Sequence, residues 1–144
     1  MEATQLQYVT ELRTVLTRLI KKLRKESATG QQLSLTERST LVLLQQNTAL
    51  QPTELAAMEK ITNQSMSQIL AHLLELGYIN RSVSETDKRK AIITLSEQGE
   101  EVLKQVRSER DKWLAQAIEA TCTRHEQEML KQIIVPLEKI IEFE

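Results

Sequence analysis

The sequence predicts a mainly α-helical chain carrying one small β-hairpin, and three observations lead there. Apolar residues recur at steps of three and four over long stretches, as in Leu6, Val9, Leu12, Leu16, Leu19, Ile20 and Leu23, which places them on one helical face. Only 3 glycines, 2 prolines and 3% aromatic residues occur among 144 residues, a poor composition for a sandwich or barrel. A single β-branched run, Ala91-Ile92-Ile93-Thr94-Leu95, leaves the helical period. The expected order is two helices, a tiny strand, two more helices, a strand, a polar wing, a second long strand and two closing helices.

The first helix spans about Leu6 to Leu23, with Arg13, Arg18, Lys21, Lys22, Arg24 and Lys25 on its polar side. Such a charge run usually marks a solvated face. Ser27 to Gln32, centred on Gly30, should stop it. Ser34-Leu35-Thr36-Glu37 is a capping box, in which the Ser34 hydroxyl takes the Glu37 amide and the Glu37 carboxylate takes the Ser34 amide. The second helix runs from there to Gln46-Asn47, with Leu41 and Leu44 inward. Ala49-Leu50-Gln51 is short enough for a tiny strand.

Pro52 suits a first helical turn, so Thr53 to Lys60 reads as a short helix with Leu55, Ala56 and Met58 as its apolar part. A break at Ile61-Thr62-Asn63 follows, with Thr62 or Asn63 as the next cap. Gln64 to Leu76 forms the following helix, with Met66, Ile69, Leu70, Leu73 and Leu76 inward and Gly77 ending it. A short helix, a tight turn and a three-turn helix make a helix-turn-helix. Tyr78-Ile79-Asn80-Arg81 and Ala91 to Leu95 are strand-like, and Ser82 to Lys90 forms a polar tip between them, a wing. Ser96 caps a long helix to about Thr121 with Val102, Leu103, Val106, Trp113, Leu114, Ala117 and Ile118 apolar. Thr123-Arg124-His125-Glu126 is a second capping box, opening a helix to near Ile141 that Pro136 should kink or interrupt.

Nineteen basic residues against twenty acidic ones leave a net charge of −1, so composition by itself names no polyanion partner. Local charge does more. Residues 35–95 are neutral in sum, yet Arg81, Lys88, Arg89 and Lys90 crowd the wing. A cationic hairpin tip fits a groove of DNA, although cations also serve to blunt exposed strands. The helix from Gln64 offers Asn63, Gln64, Ser65, Ser67, Gln68 and His72 on its polar face. Exposed helices are usually richer in Glu and Lys. Asn and Gln can bond both edge groups of adenine, and a helix N-terminus accepts a phosphate.

These pieces resemble the MarR family of bacterial winged-helix regulators. Leu33-Ser34-Leu35 through Leu44, Pro52-Thr53-Glu54-Leu55-Ala56, Ser67 to Gly77, Arg81, Asp87-Lys88-Arg89 and Ser96-Glu97-Gln98-Gly99 come in that family's order and spacing. The Asp-x-Arg element after Gly-x-x-x-Arg is the most specific part. The resemblance implies a winged helix-turn-helix over residues 33–99, with residues 1–32 and 100–144 as dimerisation helices of one compact chain. It implies a homodimer on a pseudo-palindromic operator in double-stranded DNA, and in many members a repressor released by a small, often phenolic, ligand. Arg89 matches the wing arginine that enters the minor groove, and Asp87 the acid that orients it. Ser65, Ser67 and Gln68 match recognition-helix positions. Gln68 stands where many members carry arginine, which points to adenine and an A·T-rich half-site. His72 stands where a basic phosphate-binder is frequent, and Lys88 and Lys90 are expected on phosphates too.

Cys122 and His125 lie three residues apart near a helix start, where a thiolate would be favoured. Free cysteine is more often a packed residue, and the family's peroxide-sensing branch carries its reactive cysteine near the first helix, where this chain has none. No Gly-rich phosphate loop, Ser-His-Asp set or metal-spaced cluster is present. The expectation is therefore no enzyme, no cofactor and no metal, with at most a small effector. No apolar run reaches the roughly 18 residues of a membrane span. No signal peptide opens the sequence, and one cysteine gives no internal disulfide, so a cytoplasmic address without membrane contact is expected. The competing expectation is a helical protein-interaction module that kept the winged-helix shape without binding DNA.

Overall fold

The computed structural model describes residues 2–144. Seven helices and two strands follow in the order α1 (Ala3–Lys25), α2 (Ala28–Gln31), α3 (Leu35–Gln46), α4 (Pro52–Glu59), α5 (Asn63–Glu75), β1 (Ile79–Val83), β2 (Ala91–Leu95), α6 (Glu97–Thr121) and α7 (Arg124–Ile141). A winged helix-turn-helix forms the body. Its core gathers Leu41 of α3, Leu55 of α4, Met66 and Leu73 of α5 and Ile93 of β2, all fully buried. Each such side chain contributes about 1.5–3 kcal/mol when removed from water.

The caps read from the sequence are present. Ser34 and Glu37 exchange their hydrogen bonds at the start of α3, and Thr123 and Glu126 do so at α7. Ser96 Oγ accepts from the Gly99 amide. At α5 the cap is Thr62, whose Oγ1 accepts from the Ser65 amide. The end of α5 is a Schellman turn. Gly77 has φ of 81°, its amide reaches the Leu74 carbonyl and the Tyr78 amide reaches the Leu73 carbonyl. The turn after α4 uses the same geometry at Lys60, φ 56°, with the Ile61 amide on the Ala56 carbonyl.

Four expectations change. Ser27 to Gln32 does more than stop α1. It holds the one-turn helix α2, because the Ser27 hydroxyl caps Gly30 and Glu109 of α6 accepts from Ser27 and Thr29. The tiny strand around Leu50 is a single bridge to Ile93, since Pro52 starts α4 two residues later. The sheet is thus two-stranded, β1 antiparallel to β2, in register from Ile79 opposite Leu95 to Val83 opposite Ala91. Leu76, expected inward, is 39% exposed at the C-cap of α5, where the helix ends before Gly77. Of the kink or interruption expected at Pro136, the interruption is absent, since α7 continues to Ile141.

The long helices differ from the body. On α6 the first three turns bury Val102, Leu103 and Val106, whereas Trp113, Leu114, Ala117 and Ile118 beyond them are only half-buried. Neither α1 nor α7 buries a single described residue. No described helix is long and apolar enough to cross a membrane.

Candidate nucleic-acid interface

The recognition-type helix α5 is held from below by Met66, Leu70 and Leu73. That burial pattern leaves Asn63, Gln64, Ser65, Ser67 and Gln68 exposed together at its N-terminal half. No acidic residue lies in its first turn, whereas α3, α4, α6 and α7 each have at least one there. The positive end of the α5 dipole is therefore left uncancelled by a side chain, which favours an approaching phosphate.

The wing follows from β1 and β2. Its tip is closed by backbone bonds from the Ser84 amide to the Lys90 carbonyl and from the Lys90 amide to the Asp87 carbonyl. Asp87 Oδ1 accepts from both the backbone amide, at 3.0 Å, and Nε, at 3.2 Å, of Arg89. Two contacts to one carboxylate oxygen fix the arginine's direction while 91% of its side chain stays in solvent. Lys88 and Lys90 flank it, exposed. Arg81 is exposed too, but it sits mid-strand on β1 opposite Ile93, away from the tip. One cleft is lined by Arg81, Lys88, Arg89 and Lys90 together.

His72 is placed differently from a free phosphate ligand. Its Nδ1 meets the Glu37 carboxylate of α3, which also accepts from the Ser34 amide. The bond to Glu37 and the Glu37 charge raise the His72 pKa against a small opposing effect of burial, and Glu75 adds to the rise. Burial pushes the Glu37 carboxyl upward, but the Ser34 amide and His72 outweigh it and hold the group below its ordinary value. Nothing in the local sequence marks this pair, which lies 35 positions apart.

Several hollows lie away from this face. One, of about 400 Å³, sits where α1, α3 and α6 meet, lined by Arg24, Leu35, Arg38, Val42, Glu59 and Arg110 among others. Another, of about 530 Å³, is an apolar groove between the long helices that includes Leu19, Trp113, Ile118, Leu130 and Ile134. Cys122, half-buried, also borders that groove and ends α6, its thiol 3.7 Å from the Thr121 hydroxyl. No group of three or more metal-ligating side chains occurs among the described residues.

Residues 33–91 match the family model described as MarR family, the segment that contains the helix-turn-helix and most of the wing. The chain belongs to the MarR family. A curated relative, an HTH-type transcriptional regulator of Mycobacterium tuberculosis, is 33% identical over 99 residues, covering 69% of this chain and 68% of its own length. Among solved structures, the transcriptional regulator Tm0710 of Thermotoga maritima superposes with a TM-score of 0.77 at 17% identity, over 95% of both chains. An S. aureus MepR variant bound to an oligodeoxyribonucleotide gives 0.70 at 20% identity, over 94% of this chain and 98% of that one. These likenesses establish the winged-helix fold along the long helices as well as the body. As a MarR-family member the chain is a DNA-binding transcriptional regulator.

Proposed function

We propose that this MarR-family regulator is a homodimeric, sequence-specific repressor that releases its operator when a small ligand binds. The observation that carries the DNA contact is the joint exposure of an uncharged polar helix face and an arginine held outward by Asp87. In this reading Asn63, Gln64, Ser65, Ser67 and Gln68 enter the major groove and Arg89 the minor groove. Lys88, Lys90 and Arg81 meet phosphates, and His72 adds a charge there only while it is protonated against Glu37. The bound MepR variant shows that a protein of this fold can hold DNA.

Residues 33–99 then form the DNA-binding region, and residues 1–32 with 100–144 pair two copies. Two-fold symmetry sets the recognition helices about 34 Å apart, one DNA turn, and so calls for a pseudo-palindromic operator. Amide side chains favour adenine and a narrow groove favours arginine, so each half-site is A·T-rich. The ligand enters where the long helices meet the body, since pockets favour such junctions. By linkage it lowers DNA affinity as DNA lowers its own. The setting is cytoplasmic.

The test is affinity for matched and single-base-altered duplexes across a salt series. Gln68→Ala should relax discrimination at one base position at a cost of about 1–3 kcal/mol. Lys90→Ala should weaken all duplexes alike and flatten the salt dependence by about one unit of slope. Uniform loss with Gln68→Ala and altered base preference with Lys90→Ala would reverse the two roles. No change in either would favour the interaction-module reading, which the net charge of −1 and the absence of arginine at Gln68 support.

A further inference from the structure

Among the described residues a single acid–base pair joins α5 to another helix, His72 Nδ1 on Glu37 Oε2 of α3. The acid is nearly buried, with 10% of its side chain exposed, whereas 47% of the His72 side chain faces solvent. Oε1 of Glu37 accepts from the Ser34 amide at 2.9 Å, so the carboxylate cannot turn away without giving up the capping box of α3. Burial pushes Glu37 upward, yet the Ser34 amide and His72 hold it below its ordinary value. It is therefore ionised at neutral pH and can only accept. Nδ1 of His72 must then carry a hydrogen in both charge states of the ring, and only Nε2 changes. Neutral, Nε2 presents a lone pair; protonated, it presents an N–H. It forms no hydrogen bond among the described residues.

Gln64, Gln68 and His72 recur at intervals of four on one exposed row of α5. His72 lies roughly 12 Å along the axis from Gln64, about the width of a major groove. With the two glutamines at base edges, His72 reaches the phosphates on the groove's rim. The charges acting on its ring are Glu37 and, on its own helix, Glu75. The other elements packed against α5 carry Glu54, Glu59 and the capping Lys60 on α4 and Arg81 on β1, and none of these acts on it. We propose that Glu37 is a positioning residue that locks the direction and tautomer of His72, so that operator binding at neutral to alkaline pH takes up one proton per chain to make Nε2 a donor to a DNA phosphate. The inference rests on the DNA-binding reading and deepens it, because it makes the affinity itself depend on pH. Protonated, the pair is neutral in sum and turns an N–H to the duplex. Deprotonated, it turns a lone pair to the phosphate and leaves the Glu37 charge uncompensated. Both changes repel the backbone, so affinity falls as pH rises through the raised His72 value. A bound phosphate adds a second anion near the ring and raises that value again.

The probe is a duplex that the full wild-type chain selects from a random-sequence pool at the acid end of the range. Affinity is read by fluorescence anisotropy from about pH 6 to 8 in about 0.15 M salt. Wild-type affinity should be level at the acid end and then fall by up to about tenfold per pH unit for each chain bound. His72→Arg, a permanent cation, should bind tightly throughout with no slope. Glu37→Gln keeps a capping partner for Ser34 but no charge. It should match the wild type at the acid end and lose affinity at lower pH than the wild type does. By NMR the His72 ring should titrate above 6.5 in the free chain and higher still on the duplex. His125→Gln, at the chain's other histidine, should keep the wild-type profile. A merely structural Glu37 would make Glu37→Gln weaken binding equally at every pH with an unmoved midpoint, and that result would overturn the proposal. So would a slope that survives His72→Arg or disappears with His125→Gln. A wild type that binds the selected duplex equally across the range overturns the proton coupling and leaves the regulator reading standing. Failure to select any duplex sinks that reading, and the proposal with it.

Discussion

Arg89 keeps 91% of its side chain in solvent while Asp87 fixes its direction, so its role lies outside the fold. Arg89→Ala should change unfolding free energy by no more than about 0.5 kcal/mol yet weaken operator binding strongly. Asp87→Ala should reproduce part of that loss by freeing the arginine. Urea unfolding beside fluorescence anisotropy with operator DNA separates the two effects, and unchanged anisotropy in both variants would refute the wing assignment. The Glu37–His72 pair predicts a pH profile. The His72 contribution is complete below its ordinary pKa of 6.5 and is lost as pH rises through its raised folded value. That of Glu37 is complete above its ordinary 4.5 and is lost as pH falls through its lower folded value. The pair therefore stabilises most between those ordinary values and fades on the alkaline side. Urea midpoints across this range should show that alkaline decline in the wild type, and Glu37→Gln should flatten it. The Ser34 side of Glu37 was legible as a capping box four residues long. The His72 side was not, because it depends on how α5 crosses α3.

Helix ends carry the same division. Serine, threonine, glycine and proline announce most of them, since a cap needs only neighbouring residues. Gly99 shows the limit. It was readable as part of the Ser96-Glu97-Gln98-Gly99 element, but its reason is tertiary: a Cβ there would collide with the Tyr78 carbonyl and lie 2.6 Å from Leu95 Cδ1. Gly99→Ala should therefore cost about 1–3 kcal/mol, the range for overpacking, despite alanine's better helix propensity. A thermal melt that rises would show that α6 can lift off the hairpin freely. Lys60 is the converse case, a left-handed residue with an exposed side chain. Lys60→Gly should relieve about 0.5–1 kcal/mol, the left-handed penalty less glycine's added chain entropy, read as a higher urea midpoint. The helix α2 escaped sequence reading because its four residues are stabilised by Glu109, 80 positions away. Pro136 was read on local grounds as kinking or interrupting the helix, and α7 runs through it without interruption.

At the scale of the molecule the surface is larger than a compact chain of this mass exposes. A compact monomer of 16.5 kDa exposes about 7,500 Å², whereas this chain exposes 11015 Å². Much of the surplus lies on α1 and α7, where Leu6, Val15, Ile20, Ile134, Val135 and Ile140 are all exposed. The proposed homodimer would cover such apolar surface, and obligate dimers bury about 2,000–5,000 Å². Sedimentation should give twice the chain mass at micromolar concentration. Ile134→Asp with Ile140→Asp should shift it toward 16.5 kDa and weaken operator binding through lost pairing of the two recognition helices. A monomeric wild type would remove the two-fold argument altogether.

The helix-turn-helix, the wing, the capping boxes and the polar face of α5 were all readable in the amino-acid order. Each is a local pattern, a period of 3.6 or 2 or a cap within four residues, and local patterns survive without knowing the partner element. The Glu37–His72 contact, the Glu109 latch on α2 and the single Leu50–Ile93 bridge became visible only when distant segments met in space. Those interactions join residues dozens of positions apart. Their energies depend on burial and relative orientation, which the packing of α3, α5 and α6 sets and no stretch of neighbouring residues encodes.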